Sequence, residues 1–447
     1  MMEAVRERLA EGTARGLAGA VSRAIGDGAL RPGHKLPPIR RVADELGLSP
    51  TTVSSAWNLL ARSGAIRTDG RRGTVVATPR ATGPGRYRRA LHQRARFAHD
   101  LSTGVPDPAL LPDLGPALRR LPATAPSSYL DPPVLPRLAD VLDERWPAPA
   151  ERITIVDGAM DGLDQVASAL LRLGDRAIVE SPGFPPLLDL LDALGVDVIG
   201  VPLDADGIVP SLLEAALVTR PAAIFVQPRA QNPTGVSWSS TRARELATVL
   251  AGAPEVTIVE DDSAGDIAAT PVHSLGRWLA DRTVHIRSFA KSHGPDLRLA
   301  ALGGPADLVD PLTERRLLGQ GWSSRLLQLL LLDLLTDPVS VAAVASARST
   351  YARRRGLVSR GLRRVGLDVN GADGINLWLP VADEQAALIS LASEGIGAAG
   401  GAAFYPEHGP VASAHLRVTV GLVGSHHADI AASLARAAQV GAFGAPR

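Results

Sequence analysis

The sequence predicts a small helical head with a β-wing, a basic linker, and an α/β body with a mainly parallel sheet. Three observations predict it. Helical apolar spacing followed by a short hairpin pattern is confined to residues 1–78. From residue 99 the pattern changes to short apolar runs alternating with amphipathic stretches. The charge changes at the same place. Residues 1–98 hold 18 Arg/Lys against 7 Asp/Glu, whereas the remainder holds 29 against 39. A basic head on an acidic body fits a head that meets a polyanion, or a solvated basic surface and linker.

The length of 447 residues allows two or three domains, and 45% hydrophobic with 21% charged residues is an ordinary soluble composition. The chain has no cysteine, which excludes disulfides, Cys-ligated zinc and thiol chemistry. The most apolar run, "LLQLLLLDLL" (326–335), is too short to span a bilayer and carries Asp333. The N-terminus is charged and lacks an apolar signal core, so the expectation is a cytoplasmic protein with no membrane partner. His426 and His427 lack convergent carboxylates and are not read as metal ligands.

In the head, Leu17, Val21 and Ile25 share one helical face. A Gly/Pro-rich break follows, then "IRRVADELG" with Ile39, Val42 and Leu46 at helical spacing and Gly47 as the stop. "SPTTVSSAWNLLARSG" begins with Ser49 as N-cap and Pro50 at the first helical position, and buries Val53, Trp57 and Leu60. "AIRTDGRRGTVVAT" reads as two short strands around a turn with Arg71, Arg72 and Gly73. Helix, short turn, polar-faced helix and basic hairpin make a winged helix-turn-helix layout. Thr51, Thr52 and Ser54 are small hydroxyl residues suited to base edges. Arg40, Arg41, Arg71 and Arg72 are suited to phosphates. A small helical domain for a protein partner has the same layout. Residues 79–98, rich in Arg, Gly and Pro, read as a linker.

In the body, "RITIVD", "RAIVE", "VDVIGVPL", "AAIFVQP", "EVTIVEDD" and "TVHIRSF" are apolar runs ending in polar residues, as buried parallel strands do. Sites in such sheets gather at the carboxyl ends of strands. This selects Asp157–Gly158, Glu180–Ser181, Gln227, Asp261 and Ser288 to Lys291 for inspection. Lysine occurs only at positions 35 and 291. A lysine amine forms an imine with an aldehyde, which arginine does not. Asp261 suits a protonated pyridine nitrogen, and Ser288 and Arg298 suit a phosphate. Gly158 opens a helix whose free N–H groups favour an anion. Asn232 in "NPTG" suits a ring oxygen, and Phe184 in "SPGF" suits stacking on a ring. Each has an ordinary structural reading as well: surface charge, cap or turn.

Residues 10–78 resemble the DNA-binding head of GntR-type bacterial repressors. The resemblance implies that Lys35, Arg40, Thr51, Thr52 and Ser54 lie near an operator, with Gly73 shaping the wing. Residues 99–440 resemble a fold-type I aminotransferase of the class I/II branch, which implies pyridoxal 5'-phosphate as cofactor. "SFAKSHGPDLRLAALGG" resembles the family's lysine segment, which implies Lys291 as the imine-forming residue and Ser288 and Arg298 as phosphate ligands. "DGAMDGL" resembles the phosphate turn, implicating Gly158, Ala159 and Met160. By the same resemblance Phe184 stacks, Asn232 donates to the ring oxygen, and Asp261 meets the pyridine nitrogen. "HLRVTVG" implies Arg417 as the grip on a substrate carboxylate. "SYLDPPVLPRLADVL" implies that Tyr129 reaches the neighbouring subunit of a homodimer.

The head-to-body order as a whole resembles the MocR-like subgroup of GntR regulators. The expected boundaries are 1–78 for the head, 79–98 for the linker, 99–339 for the large domain and 340–447 for a small domain that the aminotransferase resemblance implies to be α+β. One departure stands out. Where the aminotransferases carry a tyrosine after the aspartate, "EDDSAGD" places Ser263 and Ala264. The expected function is a DNA-binding regulator that senses the cofactor, an amino acid or an amine. A working aminotransferase with an auxiliary head is a second reading, and a body that serves only as a dimerisation scaffold is a third. Whether transamination turns over stays open at this level, as does the dimer arrangement, head-to-tail or domain-swapped.

Overall fold

The computed structural model describes residues 2–9, 11–26, 29–31, 33–62, 65–69, 73–76, 86, 97–121, 128, 131–369, 371–406 and 414–441. Among the site expectations, Arg71, Arg72 and Tyr129 lie outside the described residues.

The head packs helices Ala14–Gly26, Ile39–Leu46 and Pro50–Arg62 around Leu17, Val21, Val42, Val53 and Leu60, all fully buried. Gly47 ends the second helix in the left-handed region at φ 67°, and its N–H donates to the Ala43 carbonyl. That conformation costs glycine nothing sterically. Ser49 then caps the third helix, its Oγ accepting from Thr52 N at 3.0 Å. The wing has one strand more than the sequence suggests. β1 (Lys35–Leu36) pairs antiparallel with β3 (Gly73–Val76), which pairs with β2 (Ile66–Asp69), in the order β1-β3-β2. A two-residue strand among Gly and Pro leaves no periodic signal.

The body begins with β4 (His99–Asp100). The large sheet contains β5 (Arg152–Val156), β6 (Arg176–Ser181), β7 (Asp197–Asp204), β8 (Gly207–Ile208), β9 (Ala223–Val226), β10 (Thr257–Asp262), β11 (Thr283–Ser288) and β12 (Ala300–Gly304). Their order is β5-β12-β11-β10-β9-β6-β7-β8. The pairs joining β11, β10, β9, β6 and β7 are parallel, while β12 runs antiparallel to both neighbours and β8 to β7. Alternate side chains serve two layers. Ala177, Val179, Phe225 and Val259 meet helices Ala159–Leu170 and Pro185–Ala193 on one face. Ile178, Ile224, Val226 and Ile258 meet helix Ser240–Ala251 and Trp238 on the other. A central strand covered on both faces must be apolar throughout, which explains the unbroken apolar runs.

The small domain joins β13 (Leu377–Pro380), β15 (Ala399–Gly400) and β16 (His415–Val418) in the order β13-β16-β15. β14 (Ile396–Gly397) pairs parallel with β4. Leu101 belongs to this domain's apolar core with Val358, Leu362 and Leu416. Residues 99–101, expected within the large domain, therefore pack with the small one. The pairing crosses almost 300 residues of sequence, beyond the reach of any local pattern. One long helix, Pro338–Arg363, spans both units. Its Tyr351 packs with Ile267 of the large domain, and Val358 and Leu362 enter the small-domain core. Among the described residues no single helix is long and apolar enough to cross a membrane.

Candidate cofactor site and DNA-binding head

The site forms where β10 and β11 end side by side. β11 runs through Ser288 into the short helix Ala290–His293, which places Lys291 beside the end of β10. Lys291 Nζ donates to the Ser263 carbonyl at 3.1 Å and lies 3.3 Å from Ser263 Oγ. Burial pushes its ammonium pKa down; Asp261 opposes this and Arg417 adds to it. A desolvated amine is a better nucleophile at neutral pH, because more of it is uncharged.

Asp261 is 3% exposed, and burial raises its pKa to about 6. Its Oδ2 accepts from Gln227 Nε2 at 2.6 Å, whereas its Oδ1 is buried with no hydrogen-bond partner. A buried carboxylate oxygen without a donor is costly. It fits a cationic or N–H-bearing ligand group.

Gln227 ties the site together. Its Nε2 reaches Asp261 and Ser263 Oγ, its Oε1 accepts from Asn232 N at 2.7 Å, and its own N donates to Glu180 Oε2 at 3.1 Å. It ends an apolar run and so was visible as a strand-end residue. Its bonds to positions 180, 232, 261 and 263 had no sequence signal. Asn376 of the small domain, also missed, stands 3.5 Å from Asn232 Oδ1. Burial raises the pKa of Glu180 to about 8, and Asp261 adds a smaller repulsion.

An anion cup lies at the other end of the lysine segment. Gly158 precedes helix Ala159–Leu170 at φ 100°, with no side chain capping that helix. A Cβ at Gly158 would stand 3.4 Å from the Arg298 guanidinium, so glycine permits the close approach. Arg298 Nη2 donates to the Asp157 carbonyl at 3.1 Å. Gly158 is buried, Ala159 and Met160 are half-buried, and Arg298 is exposed. Ser288 is buried in register with Ala300, two residues beyond Arg298. Arg316, which the sequence reading overlooked, braces the cup from behind through Asp161 at 2.7 Å and Asp157 at 3.2 Å.

Phe184 is half-buried before helix Pro185–Ala193 and packs against the helix-side core. Arg417 lies on β16, 1% exposed; its guanidinium bonds the Ser102 carbonyl and sits 5.2 Å from the Phe404 ring centre. The small domain thus carries a positive charge on the Lys291 side, which favours the uncharged amine. Arg325 donates to the Ser128, Asp131 and Pro132 carbonyls, and Tyr129 itself lies outside the described residues.

On the head, Lys35, Arg40, Arg41 and Thr51 are exposed, and Thr52 and Ser54 are half-buried. Gly73 has φ 88°, and a Cβ there would meet Lys35 Cε at 3.2 Å, so the lysine lies along the base of the wing. Two residues are already engaged. Arg41 Nε binds Glu45 at 2.7 Å, and the Thr52 hydroxyl meets Ser49 Oγ at 2.8 Å.

Comparison with known proteins matches residues 13–76 to "Bacterial regulatory proteins, gntR family" and residues 99–432 to "Aminotransferase class I and II". The vitamin B6 salvage pathway transcriptional repressor PtsJ of Salmonella typhimurium is 36% identical over 407 residues, covering 88% of this chain and 90% of that protein. The pyridoxine biosynthesis transcriptional regulator PdxR of Corynebacterium glutamicum is 30% identical over 316 residues, covering 67% and 68%. Among solved structures, Pyrococcus horikoshii kynurenine aminotransferase superposes with a TM-score of 0.67 at 19% identity, covering 78% of this chain and 95% of its own. The aminotransferase class uses pyridoxal 5'-phosphate. The buried Asp261 oxygen, the amine beside it and the glycine-lined cup fit that group. The chain belongs to the MocR-like subgroup of GntR-family transcriptional regulators, in which a DNA-binding winged head is fused to an aminotransferase-like body.

Proposed function

We propose that this regulator binds pyridoxal 5'-phosphate at Lys291 and reads the cofactor, or an amino acid or amine joined to it, as the signal that sets operator binding. The observation that carries the reading is the unpartnered Asp261 Oδ1 in the same buried cluster as the Lys291 amine. When bound, the cofactor supplies an electrophilic carbonyl carbon and an electron-withdrawing ring. Lys291 presents the nucleophilic amine, and Asp261 holds a protonated ring nitrogen. Asn232 donates to the ring oxygen, and Phe184 packs on the ring face. Ser288, Arg298 and the amides of Gly158, Ala159 and Met160 hold the phosphate. Tyr129 completes the cup of a second copy in a homodimer, head-to-tail or domain-swapped. Arg417 pairs with an effector carboxylate, for which a guanidinium fork is suited.

Regulation rather than rapid turnover is favoured by Ser263. It stands in the stretch where the aminotransferases carry a tyrosine, and its short hydroxyl meets Lys291 and Gln227. On the head, Lys35 and Arg40 neutralise phosphates, with Arg41, Arg71 and Arg72 flanking, while Thr51, Thr52 and Ser54 face the groove and Gly73 sets the wing. The proposed units are 1–78, 79–98, 99–339 and 340–447, with residues 99–101 docked onto the last. The protein acts in the cytoplasm.

The deciding experiment is spectroscopic. Purified protein is expected to show visible cofactor absorbance that borohydride bleaches, with Lys291→Ala lacking it. A wild type without that absorbance rules out cofactor binding at Lys291. Steady multiple turnover with amino-acid and keto-acid pools overturns the pure-regulator reading.

A further inference from the structure

Behind the cofactor site, the described residues line a second, solvent-open cavity of about 410 Å³. Five arginines line it, Arg145, Arg229, Arg277, Arg287 and Arg348, against two carboxylates, Asp262 and Asp266. Arg229 donates from Nε and Nη2 to the two Asp262 oxygens at 2.8 and 2.7 Å, and Arg287 Nη2 donates to both Asp266 oxygens at 2.7 and 3.0 Å. The other three have no carboxylate of their own among the cavity's residues. Arg145 spends one N–H on the Leu335 carbonyl, and Arg277 one on the Pro147 carbonyl. Arg348 Nε is buried without a partner. A guanidinium carries five N–H donors, so each of the three has capacity left.

A histidine supplies a second, independent observation. His285 is 2% exposed and lines the same cavity. Its Nδ1 is taken by the buried Glu260 at 2.8 Å, and its Nε2 has no hydrogen-bond partner. Asp262 lies beyond bonding range of that nitrogen, at 3.9 Å. Trp146 holds the ring edge-on at 5.4 Å between centres. Leu334, Leu335, Val341 and Val344 form an apolar wall.

We propose that this cavity is a second ligand site, for a small dianion with a compact apolar body, such as a phosphomonoester. The anionic group is met by Arg145, Arg277 and Arg348, and the apolar body by the leucine–valine wall, while the acceptor His285 Nε2 is left for a ligand O–H. Asp262, Arg287 and His293 line this cavity, while Asp261, Ser288 and Lys291, one or two residues away, belong to the cofactor site. Val341, Val344 and Arg348 lie on the long helix that continues into the small domain. A ligand here therefore grips both the cofactor strands and the helix that joins the two domains, which is where an effector can bias closure.

The test is calorimetric titration with phenyl phosphate of the full-length protein, loaded with pyridoxal 5'-phosphate at the first cup and then freed of excess cofactor so that the second cavity is left open. Saturable binding with one site per chain is expected. It should weaken about 10-fold or more in Arg277→Gln plus Arg348→Gln. The visible absorbance and melting temperature of that variant should match the wild type. Arg277→Lys plus Arg348→Lys is expected to retain part of the affinity. No saturable binding by the wild type, or equal binding by the glutamine variant, overturns the proposal. So does a crystal structure in which a second copy's side chain fills the cavity. Phenyl phosphate that binds the Arg298 cup instead would be unaffected by either double variant, so failure of the Lys291 reading remains distinguishable.

Discussion

In the head, Lys35, Arg40 and Arg41 stand exposed on short helices and a three-stranded wing. In the body, Asp261 and Arg417 are buried almost completely, and Lys291 is enclosed beside them. The two regions use charge in opposite ways. Exposed arginines remain solvated, cost little to hold, and act additively on a polyanion through counterion release. Buried ions pay desolvation, so they shift their pKa values and depend on particular partners. The head therefore tolerates substitution gradually, while the body fails at single positions.

The largest effect separating the two is expected from Asp261→Asn. It removes the buried carboxylate charge proposed to complement a protonated ring nitrogen. Cofactor retention should fall by roughly 10²-fold, about 3 kcal/mol, with operator binding by the isolated cofactor-free state little changed. Equilibrium dialysis of the cofactor checks the first part and gel shift the second. Unchanged cofactor affinity would break the contrast.

Next is the pH dependence of the cofactor-free protein. Asp261 and Glu180 have folded-state pKa values raised to about 6 and about 8. The folded state thus binds protons that the unfolded chain releases near pH 4. Stability is fully present below about pH 4 for these groups and is lost as pH rises through the folded values. Melting temperature should decline between about pH 5 and 8, and Glu180→Gln should flatten the upper part of that decline.

A smaller effect distinguishes residues within the head. Arg40→Ala is expected to reduce the slope of log affinity against log salt by about 0.9, the share of one phosphate contact. Arg41→Ala should do less, because Arg41 must leave Glu45 before it meets DNA. Salt-titrated operator binding measures both, and equal slopes would remove the distinction. The smallest effect is Ser49→Ala. It deletes the cap on Thr52 N and should cost about 1 kcal/mol of head stability, read from chemical denaturation.

Much of this architecture follows from local pattern. The Val53, Trp57 and Leu60 stripe, the Gly47 stop and the Ser49 cap lie within a few residues of the groups they act on. The same holds for the apolar strands, whose polar terminal residues pointed to Asp261, Ser288 and Lys291. One of only two lysines in an arginine-rich chain pointed to the candidate amine, because a lysine amine forms an imine and arginine does not.

Tertiary structure decided the rest. The antiparallel placement of β12, the docking of β4 onto β14, and the bonds of Gln227 to Glu180, Asp261 and Ser263 join residues tens to hundreds of positions apart. No periodicity encodes such pairings. The arginine cavity is the clearest case. Its lining comes from segments between positions 145 and 348, and each arginine reads in the sequence as ordinary surface charge. Packing alone sets which guanidiniums meet a carboxylate and which keep their donors, because burial and separation are properties of the folded chain.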